Sequence, residues 1–247
     1  MRRLMYLFML ASIISFMGCE KENQSQEQNQ DQNQEEQFST VNGLFSVAEG
    51  RQVRFALGNL VYENGAYSFA EHQYDYGGLF GWGTGSNPTE TSTNDHDYPS
   101  FDDWGSHIDG GWRTLTYDEW RYVIWNRPNA SSKRGAATLC GVHGMILLPD
   151  DWQGSGFKAD FNGWSTNVYD KKSWAAMVIS GAVFLPAAGY RDGSRGENVG
   201  DYGCYWAAPS GYDDVAYYID FYKFDVMDKY YDIRSYGRSV RLVQDNN

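Results

Sequence analysis

The sequence predicts a strand- and loop-rich α+β domain with about two helices, placed after a leader and a polar segment. Three observations predict this class. Aromatic residues make up 17% of the chain and its 27 glycines are spread along it, which is typical of short strands and ordered loops around large rings. Short apolar runs alternate with turn signals. Two segments also carry the start and stop signals of helices.

The first nineteen residues have the composition of an export signal. Arg2 and Arg3 precede an apolar run over residues 4–16, which is too short to span a bilayer as a stable helix. The run ends Phe-Met-Gly-Cys, so that Cys19 follows a small residue. This arrangement resembles a bacterial lipoprotein signal, in which the cysteine carries the lipid. A plain secretory signal with a chance cysteine is the alternative.

The segment that follows is entirely polar. Residues 20–37 hold only Glu, Gln, Asn, Asp, Ser and one lysine. Without apolar side chains to bury, nothing offsets the entropy of ordering this segment. We therefore expect a disordered tether over residues 20–42 and one domain over residues 43–247, which is long enough for a sizeable core.

Strands and helices can be placed from local signals. Residues 52–62 alternate in part, and residues 66–70 follow Asn64-Gly65, a hairpin turn signal. Further strands are expected at residues 146–149, 182–186, 216–221 and 239–243.

The two helices have recognisable ends. Thr116 and Glu119 form a capping-box pattern before a helix over residues 117–126, which ends ahead of a proline. Trp120, Val123 and Ile124 of this helix would face inward. A second helix is expected over residues 171–179, before Gly181.

The charge of the chain restricts its partners. The formal net charge is −12, and no cluster of Lys and Arg occurs. Because nucleic-acid binding depends on such clusters, we expect no nucleic-acid partner. The lipid on Cys19 would be the only contact with a membrane.

Residues suited to catalysis do not form a familiar constellation. His143, in Gly-Val-His-Gly, lies beside an apolar run, where an imidazole held by backbone hydrogen bonds is favoured over a general base. No serine lies in a Gly-x-Ser-x-Gly turn. We expect no enzyme activity and no cofactor.

Two further features leave alternatives open. Cys140 and Cys204 either form a disulfide, which an oxidising compartment would allow, or remain free thiols. The acidic loop over residues 94–109 offers oxygen atoms to calcium. Its spacing does not fit the twelve-residue helix-loop-helix pattern, which favours a solvated loop without a metal.

The most informative stretch of the chain is residues 202–243. Nine of the nineteen tyrosines fall between Tyr202 and Tyr236, interleaved with six aspartates and without any Glu, Gln or Asn. Binding surfaces such as antibody loops use this mixture, because tyrosine offers a large amphipathic area with only two torsions to freeze. The stretch therefore predicts binding rather than catalysis.

An ordered set of motifs resembles a known family. The motifs are FAEHQYDY at 69–76, LFGWG at 79–83, GWRTLTYDEW at 111–120, GAAT at 135–138, GVHG at 141–144, LPDDW at 148–152, FLPAAGYR at 184–191 and GRSVR at 237–241. They resemble surface lipoproteins of Bacteroidales with a C-type-lectin-like fold of the formylglycine-generating-enzyme subtype, akin to the Fibrobacter major paralogous domain. The resemblance covers nearly all of the domain.

The resemblance implies that part of the C-terminal segment is variable. The family includes variable proteins of diversity-generating retroelements, in which adenine-directed mutagenesis rewrites codons to Tyr, Asp, Ser, Cys and similar residues. The candidate rewritten positions, which would bind the ligand, are Tyr202, Cys204, Tyr212, Asp213, Asp214, Tyr217, Tyr218, Asp220, Tyr222, Asp225, Asp228, Tyr230, Tyr231, Asp232, Ser235 and Tyr236. A tyrosine-rich face that is fixed is the alternative.

The expected function is that of a lipid-anchored, surface-exposed protein of the outer membrane that binds an unknown protein or glycan. A fixed adhesin, a fimbria-associated protein or a glycan-binding envelope protein without diversification is the alternative. A third class is an enzyme of the formylglycine-generating type. Cys140 and Cys204 lie in segments that do not match the close cysteine pair of that enzyme, so we expect this activity to be absent.

Overall fold

The computed structural model describes residues 39–210, 215–229 and 233–246. By its internal contacts, the chain from Thr40 onward forms one compact unit. The expected signal, Cys19 and the tether up to residue 38 lie outside the described residues. Thr40 forms a β-bridge with Ala56, and Val41 is buried in the core, so the ordered domain begins three residues before the boundary expected at residue 43.

The domain consists of short strands and two short α-helices in the described part of the chain. The strands are, in chain order, β1 Phe45–Ala48, β2 Arg51–Phe55, β3 Leu60–Glu63, β4 Ala66–Phe69, β5 Trp112–Thr114, β6 Arg134–Leu139, β7 Val142–Leu147, β8 Val168–Tyr169, β9 Val183–Pro186, β10 Tyr190–Asp192, β11 Arg195–Glu197, β12 Gly203–Trp206, β13 Tyr218–Tyr222, β14 Asp225–Lys229 and β15 Leu242–Asp245. The helices are α1 Tyr117–Arg121, which continues as a π-helix over Tyr122–Asn126, and α2 Lys171–Ile179. Short 3₁₀ helices occur at Asp95–Asp97, Trp104–His107 and Ala130–Ser132. The prediction of a strand- and loop-rich α+β domain is confirmed.

The strands form several small sheets rather than one large one. Two four-stranded sheets have the orders β1-β2-β15-β5 and β8-β6-β7-β9, and a three-stranded sheet has the order β12-β13-β14. Two hairpins, β3-β4 and β10-β11, stand beside them. Every pair is antiparallel except β6 with β8. No helix in the described ranges is long and apolar enough to cross a membrane.

Both predicted helix starts are confirmed. The Thr116 side chain accepts a hydrogen bond from the Glu119 backbone, and the Glu119 carboxylate accepts one from the Thr116 backbone, which completes the capping box. Trp120, Val123 and Ile124 are fully buried, as expected. At α2 the cap is Asp170, whose side chain accepts a hydrogen bond from the Ser173 backbone. These contacts satisfy donors that a helix start leaves without partners.

The sheet β8-β6-β7-β9 is buried on both faces. Alternate residues point to opposite faces of a strand, so Leu185 of β9 joins a large core while its neighbour Phe184 joins a small one. The large core contains, among others, Phe45, Phe55, Trp120, Tyr205 and Phe221. The small core lies against α2 and contains, among others, Leu139, Ile146, Trp174, Met177 and Phe184.

A buried arginine explains why residues 52–62 do not form one strand. The Arg241 guanidinium donates to the carbonyls of Ala56 and Leu57, and also to Asn59 Oδ1, at 2.9–3.0 Å. These carbonyls bind the arginine, and the chain breaks into β2 and β3 around them. A fourth bond, from Arg241 to the Phe184 carbonyl, links this break to the central sheet.

Candidate ligand-binding face

Alternation in the sheet β12-β13-β14 places five of its six described predicted positions on the side away from the core; the sixth, Asp228, lies opposite the core residue Ile219. Cys204 lies opposite Asp220, Trp206 opposite Tyr218, and Tyr222 opposite Asp225. These residues share the face that points away from the large core, whereas the intervening Tyr205, Ile219 and Phe221 are fully buried within it. We call the first set, together with the neighbouring Tyr190, Tyr202 and Tyr236, the C-terminal face.

The middle of the C-terminal face is covered by Arg238. Its guanidinium carbon lies 3.6 Å from the ring centre of Tyr218 and 4.9 Å from that of Trp206. Arg238 is 2% exposed, and Cys204, Tyr218 and Asp220 beneath it are buried. The acidic Asp220 acts electrostatically on Arg238, which helps to hold a charge in this position. These three predicted positions therefore do not reach solvent in this conformation.

The rim of the face carries two pairs of half-exposed tyrosines. Tyr202 stacks on Tyr222 with ring centres 5.5 Å apart and an angle of 20° between planes. Tyr190 of β10 contacts Tyr236 at 5.1 Å. Arg238 lies 5.8 Å and 5.9 Å from the centres of the second pair, so one buried cation supports both the middle and this part of the rim.

The other described candidates lie in different environments. Asp225 is exposed on the outer face, whereas Asp228 lies opposite Ile219, on the other side of the sheet. Asp228 accepts a hydrogen bond from Tyr117 Oη at 3.0 Å and forms an ion pair with Arg121, whose Nε lies 3.0 Å away. Tyr217 is buried and stacks on Tyr117 at 4.4 Å. Ser235 is buried, and its backbone N–H donates to Asp95. Tyr217 and Ser235 thus hold the fold together in this conformation.

Six of the predicted positions lie outside the described residues: Tyr212, Asp213, Asp214, Tyr230, Tyr231 and Asp232. Among the described candidates, those with side chains that reach solvent are Tyr202, Tyr222, Asp225, Asp228 and Tyr236. Asp228 is held by Tyr117 and Arg121 on the other side of the sheet, so among the described candidates a ligand on the C-terminal face could act directly on the remaining four.

Burial shifts the titration of the groups on this face. Desolvation raises the pKa of Tyr218 to about 12, with Asp220 adding to the rise and Arg238 opposing it. Desolvation also raises the pKa of Tyr236, helped by Asp192. The pKa of Arg238 is lowered by desolvation, against the pull of Cys204, Tyr218 and Asp220. At neutral pH both phenols keep their proton and can donate a hydrogen bond.

Two members of the face, Trp206 and Tyr190, were not among the predicted positions, and neither was Arg238, which covers the face. Tyr190 lies well before β12, and Arg238 lies two residues after Tyr236, the last tyrosine of the stretch. The sequence signal that could have identified Arg238 is its position close to many aromatic residues, because cations commonly stack on aromatic rings. The signal for Tyr190 is weaker, because one tyrosine at the end of an apolar run is an ordinary strand residue.

The carboxylates of the acidic loop accept hydrogen bonds from donors within the protein. Asp103 accepts from the backbone and hydroxyl of Thr114, and Asp102 accepts from the Ser86 backbone and from His107. Asp95 accepts from the Ser235 backbone. Within the described ranges, no group of three or more His, Cys, Asp or Glu side chains is arranged to hold a metal ion.

A groove of about 550 Å³ beside α1 is lined by charges that are already paired. Arg113 reaches both Glu119 oxygens at 2.6 and 3.0 Å and both Asp245 oxygens at 2.7 and 3.0 Å. Desolvation opposes the charge on Arg113, but these hydrogen bonds outweigh it and raise its pKa. The network connects α1, β5 and β15, which is a structural role.

The cysteines and His143 take ordinary positions. Cys140 is exposed and Cys204 is buried, and the two do not form a disulfide with each other. His143 Nδ1 lies 2.8 Å from the Gly200 carbonyl, and its ring stacks on Trp164 at 4.9 Å with an angle of 9°. A contact of this kind with a backbone carbonyl was the interpretation favoured for His143.

No protein-family model, curated protein or solved structure matches the chain. The geometry of the C-terminal face and the sequence patterns are therefore the grounds for a functional proposal.

Proposed function

We propose that this chain is a ligand-binding lipoprotein of the cell surface that presents the C-terminal face to its ligand. Cys19 would carry the lipid, and the polar segment after it would hold the domain away from the membrane. The scaffold would be C-type-lectin-like, of the formylglycine-generating-enzyme subtype that the sequence motifs resemble. The partner is a protein or a glycan on or near the cell surface.

The observation that carries this proposal is the alternation in β12 and β13. Tyr202, Cys204, Tyr218, Asp220 and Tyr222 lie on the outer face, while Tyr205, Ile219 and Phe221 fill the core between them. Cys204, Tyr218 and Asp220 are buried beneath Arg238, but replacement of the half-exposed Tyr202 or Tyr222 leaves the core residues untouched. This is the arrangement that a variable binding surface on a constant scaffold requires.

The same arrangement supports diversification by a retroelement. Apart from Trp206, the outer-face positions of β12 and β13 hold Tyr, Cys and Asp, which adenine-directed mutagenesis can produce. Phe221 and Ile219, between them, belong to the core. A fixed adhesin, fimbria-associated protein or glycan-binding envelope protein would use the same face with a constant sequence, and it remains the alternative proposal.

Sequencing of the gene and its neighbourhood in a clonal culture tests diversification. We expect substitutions confined to codons of the candidate positions between residues 190 and 236, with none at Tyr205, Ile219 or Phe221. A near-identical non-coding copy should carry adenines at the variable sites. An invariant gene without such a copy would remove diversification and leave the fixed surface binder.

Labelling with a fatty-acid analogue tests the anchor. The full-length chain should incorporate the label and resist extraction by high salt, whereas Cys19→Ala should do neither. Protease added to intact cells should degrade the anchored domain if it faces the outside. Equal labelling of both chains would contradict a lipid on Cys19, and complete protection from protease would contradict surface exposure.

Replacement of rim tyrosines tests the face itself once candidate ligands are arrayed. Tyr222→Ala and Tyr236→Ala should each weaken binding on the order of tenfold or more, as expected for aromatic anchors. Tyr62→Ala is the control, because Tyr62 is a half-exposed tyrosine in β3, outside the face. Unchanged binding in both rim variants would argue against this face as the site.

A further inference from the structure

A second group of half-exposed rings continues the C-terminal face outside the tyrosine-rich stretch. Trp125, at the end of the π-helix, and Phe161 and Trp164, in the loop after Trp152, pack on the edge of the large core and remain partly exposed. His143 stacks on Trp164, and Phe224 is 55% exposed. We use the name aromatic belt for Trp125, His143, Phe161, Trp164, Tyr202, Tyr222 and Phe224.

Hydrogen bonds and ring contacts join the members of the belt into one surface. The Gly163 backbone N–H donates to the Lys223 carbonyl at 2.9 Å, which holds the loop with Phe161 and Trp164 against the turn between Tyr222 and Phe224. His143 Nδ1 lies 2.8 Å from the carbonyl of Gly200, two residues before Tyr202. Tyr222 in turn contacts both Tyr202 and Phe224, with ring centres 5.5 and 6.0 Å apart.

Arginine and lysine lie among the rings instead of around them. The Arg134 guanidinium carbon lies 5.9 Å from the ring centre of Trp125 and 5.7 Å from that of Phe161. Lys223 Nζ lies 4.9 Å from the ring centre of Phe224. The centre of a protein–protein interface is enriched in Arg but depleted of Lys and Asp, so Lys223 and Asp225 on either side of Phe224 are unlike such a centre.

The charges in the belt are nearly balanced, although the chain as a whole is strongly acidic. Asp225 acts electrostatically on Arg134, opposing the desolvation that lowers the pKa of this arginine. Asp160 precedes Phe161 and accepts hydrogen bonds from the Asn162 backbone and the Thr166 hydroxyl, and the exposed Asp201 precedes Tyr202. Two cations and three carboxylates thus accompany the rings, while the chain carries a net charge of −12. A nearly neutral surface on an acidic protein suits an uncharged partner.

We infer that the aromatic belt binds an uncharged polysaccharide, an inference that rests on the proposed ligand-binding function and names its ligand class. The face of an aromatic ring carries partial negative charge, and the C–H groups on one side of a pyranose ring carry partial positive charge. The two stack, and the hydroxyl groups at the edge of the sugar then need polar partners. Arg134, Lys223 and Asp225 supply donors and acceptors next to the rings.

A row of rings suits a chain of sugars better than a single sugar. Trp125, Trp164 and Tyr222 lie in separate parts of the belt, so successive sugar units of one polymer can contact successive rings. Several weak contacts on one polymer add up through effective concentration. Tyr202 and Tyr222 belong to both surfaces, so a variable C-terminal face would tune which polymer binds while Trp125, Phe161 and Trp164 stay constant.

Native affinity electrophoresis of the full-length chain in a non-ionic detergent tests the inference. The gels contain laminarin, xyloglucan, galactomannan or yeast mannan as uncharged polymers, and polygalacturonate or alginate as charged ones. We expect at least one uncharged polymer to retard the wild-type chain and the charged ones to have no effect. Trp164→Ala and Phe224→Ser should each weaken the retardation by about tenfold in apparent affinity.

Three matched variants separate the possible results. Phe224→Ser is the belt variant that should not disturb folding, because Phe224 is 55% exposed. Its thermal midpoint should equal that of the wild type. Ile179→Ser is the control, because Ile179 is 76% exposed at the end of α2, outside the belt. Tyr236→Ala removes a ring that belongs to the C-terminal face but not to the belt.

The outcomes distinguish this inference from the proposed function. Loss of retardation in Trp164→Ala and Phe224→Ser, with Ile179→Ser unchanged, supports the belt. If no uncharged polymer retards the wild type, the inference that the ligand is a polysaccharide is wrong. Arrayed proteins then test the C-terminal face independently. Retardation that is lost in Tyr236→Ala but kept in both belt variants overturns the belt and leaves the proposed face standing.

Discussion

Three arginines are buried among the residues that the structure describes, and each is held by different partners. Arg127 pairs with Asp150 and donates to the Val123 carbonyl. Arg241 is held by three carbonyls and the Asn59 amide. Arg238 lies among aromatic rings. A buried guanidinium is costly to desolvate, so each must recover this cost from its own contacts.

The contribution of the Arg238 charge to stability can be tested with a substitution that removes the charge and keeps a long, unbranched side chain. Arg238→Met should lower the free energy of unfolding by about 2–4 kcal/mol, because the rings lose a desolvated cation and buried Asp220 loses a nearby positive charge. Urea unfolding measures this change. Adding Asp220→Asn to Arg238→Met should recover part of the loss.

Arg195→Met is the matched control for that experiment. Arg195 pairs with Glu197 at 2.7 Å, but its side chain is 81% exposed. A surface pair of this kind contributes at most about 1 kcal/mol. Equal destabilisation by Arg195→Met and Arg238→Met would contradict a special role for the buried arginine.

Asp150 should make stability depend on pH in the acidic range. Burial opposes its charge, but hydrogen bonds from Ser46 and Gln52 and the charge of Arg127 outweigh it, and its pKa falls below the ordinary 3.8. A carboxyl with a lower pKa in the folded state stabilises the fold above the ordinary value and loses that contribution as the pH falls through the folded value. Asp150→Asn should therefore flatten the urea stability curve below about pH 4. An unchanged acid limb would contradict this role.

At the scale of elements, the β12-β13 pair separates residues that hold the fold from residues that are free to change. Phe221 is fully buried in the large core, whereas Tyr222 beside it is half-exposed and stacks on Tyr202. Two neighbouring residues of one strand therefore have different roles, one in the core and one at the surface. The distinction follows from the period of two in a strand and needs no special loop.

This difference predicts unequal effects on stability. Phe221→Ala should lower the free energy of unfolding by about 3–5 kcal/mol, as large-to-small replacements in a core do. Tyr222→Ala should lower it by less than about 1 kcal/mol, in the range of surface changes. Thermal or urea unfolding of the two variants measures both values. Comparable losses in the two would mean that the outer face is part of the core.

Local elements could be predicted from the sequence because their causes are local. The capping box at Thr116, the Asn64-Gly65 turn and the α2 boundary each depend on residues a few positions apart. Positive φ at Asn64 and Gly65 gives that turn the twist a two-residue hairpin needs. The break between β2 and β3 depends on Arg241, which is distant in sequence, and could not be predicted.

The candidate site shows the same division. The pattern of Tyr and Asp does not by itself separate outer from core positions: Tyr218 and Tyr222 lie on the outer face, but Tyr217 packs in the large core. It also does not reveal that Arg238 covers Cys204, Tyr218 and Asp220, because this contact comes from a segment that runs beside β12, where Ser239 bridges to Tyr205. Nor does it reveal Tyr190, or the rings of Trp125, Phe161 and Trp164, which other parts of the chain contribute.

At the scale of the whole molecule, two cores share the sheet β8-β6-β7-β9. Phe184 belongs to the small core and Leu185 to the large one, although they are consecutive in β9. Disorder in one core therefore disturbs a strand on which the other depends. The two cores should unfold together.

Single replacements on either side of β9 test this coupling. Phe184→Ala and Leu185→Ala should each lower stability by roughly 2–5 kcal/mol. Far-ultraviolet circular dichroism and tryptophan fluorescence should report one coincident transition in each variant. A separate early transition in Phe184→Ala alone would show that α2 and the small core unfold on their own.

Both ends of the described domain meet β2. Thr40 bridges to Ala56 just after that strand, and the Asn246 backbone donates to the Gln52 carbonyl at 2.9 Å. Ala56 and Gln52 are four residues apart, or roughly 13 Å along a strand. A linker of about five residues could therefore join the ends. New ends opened at the exposed β6-β7 turn, at Cys140 and Gly141, would give a circularly permuted domain in which residues 190–238 stay continuous.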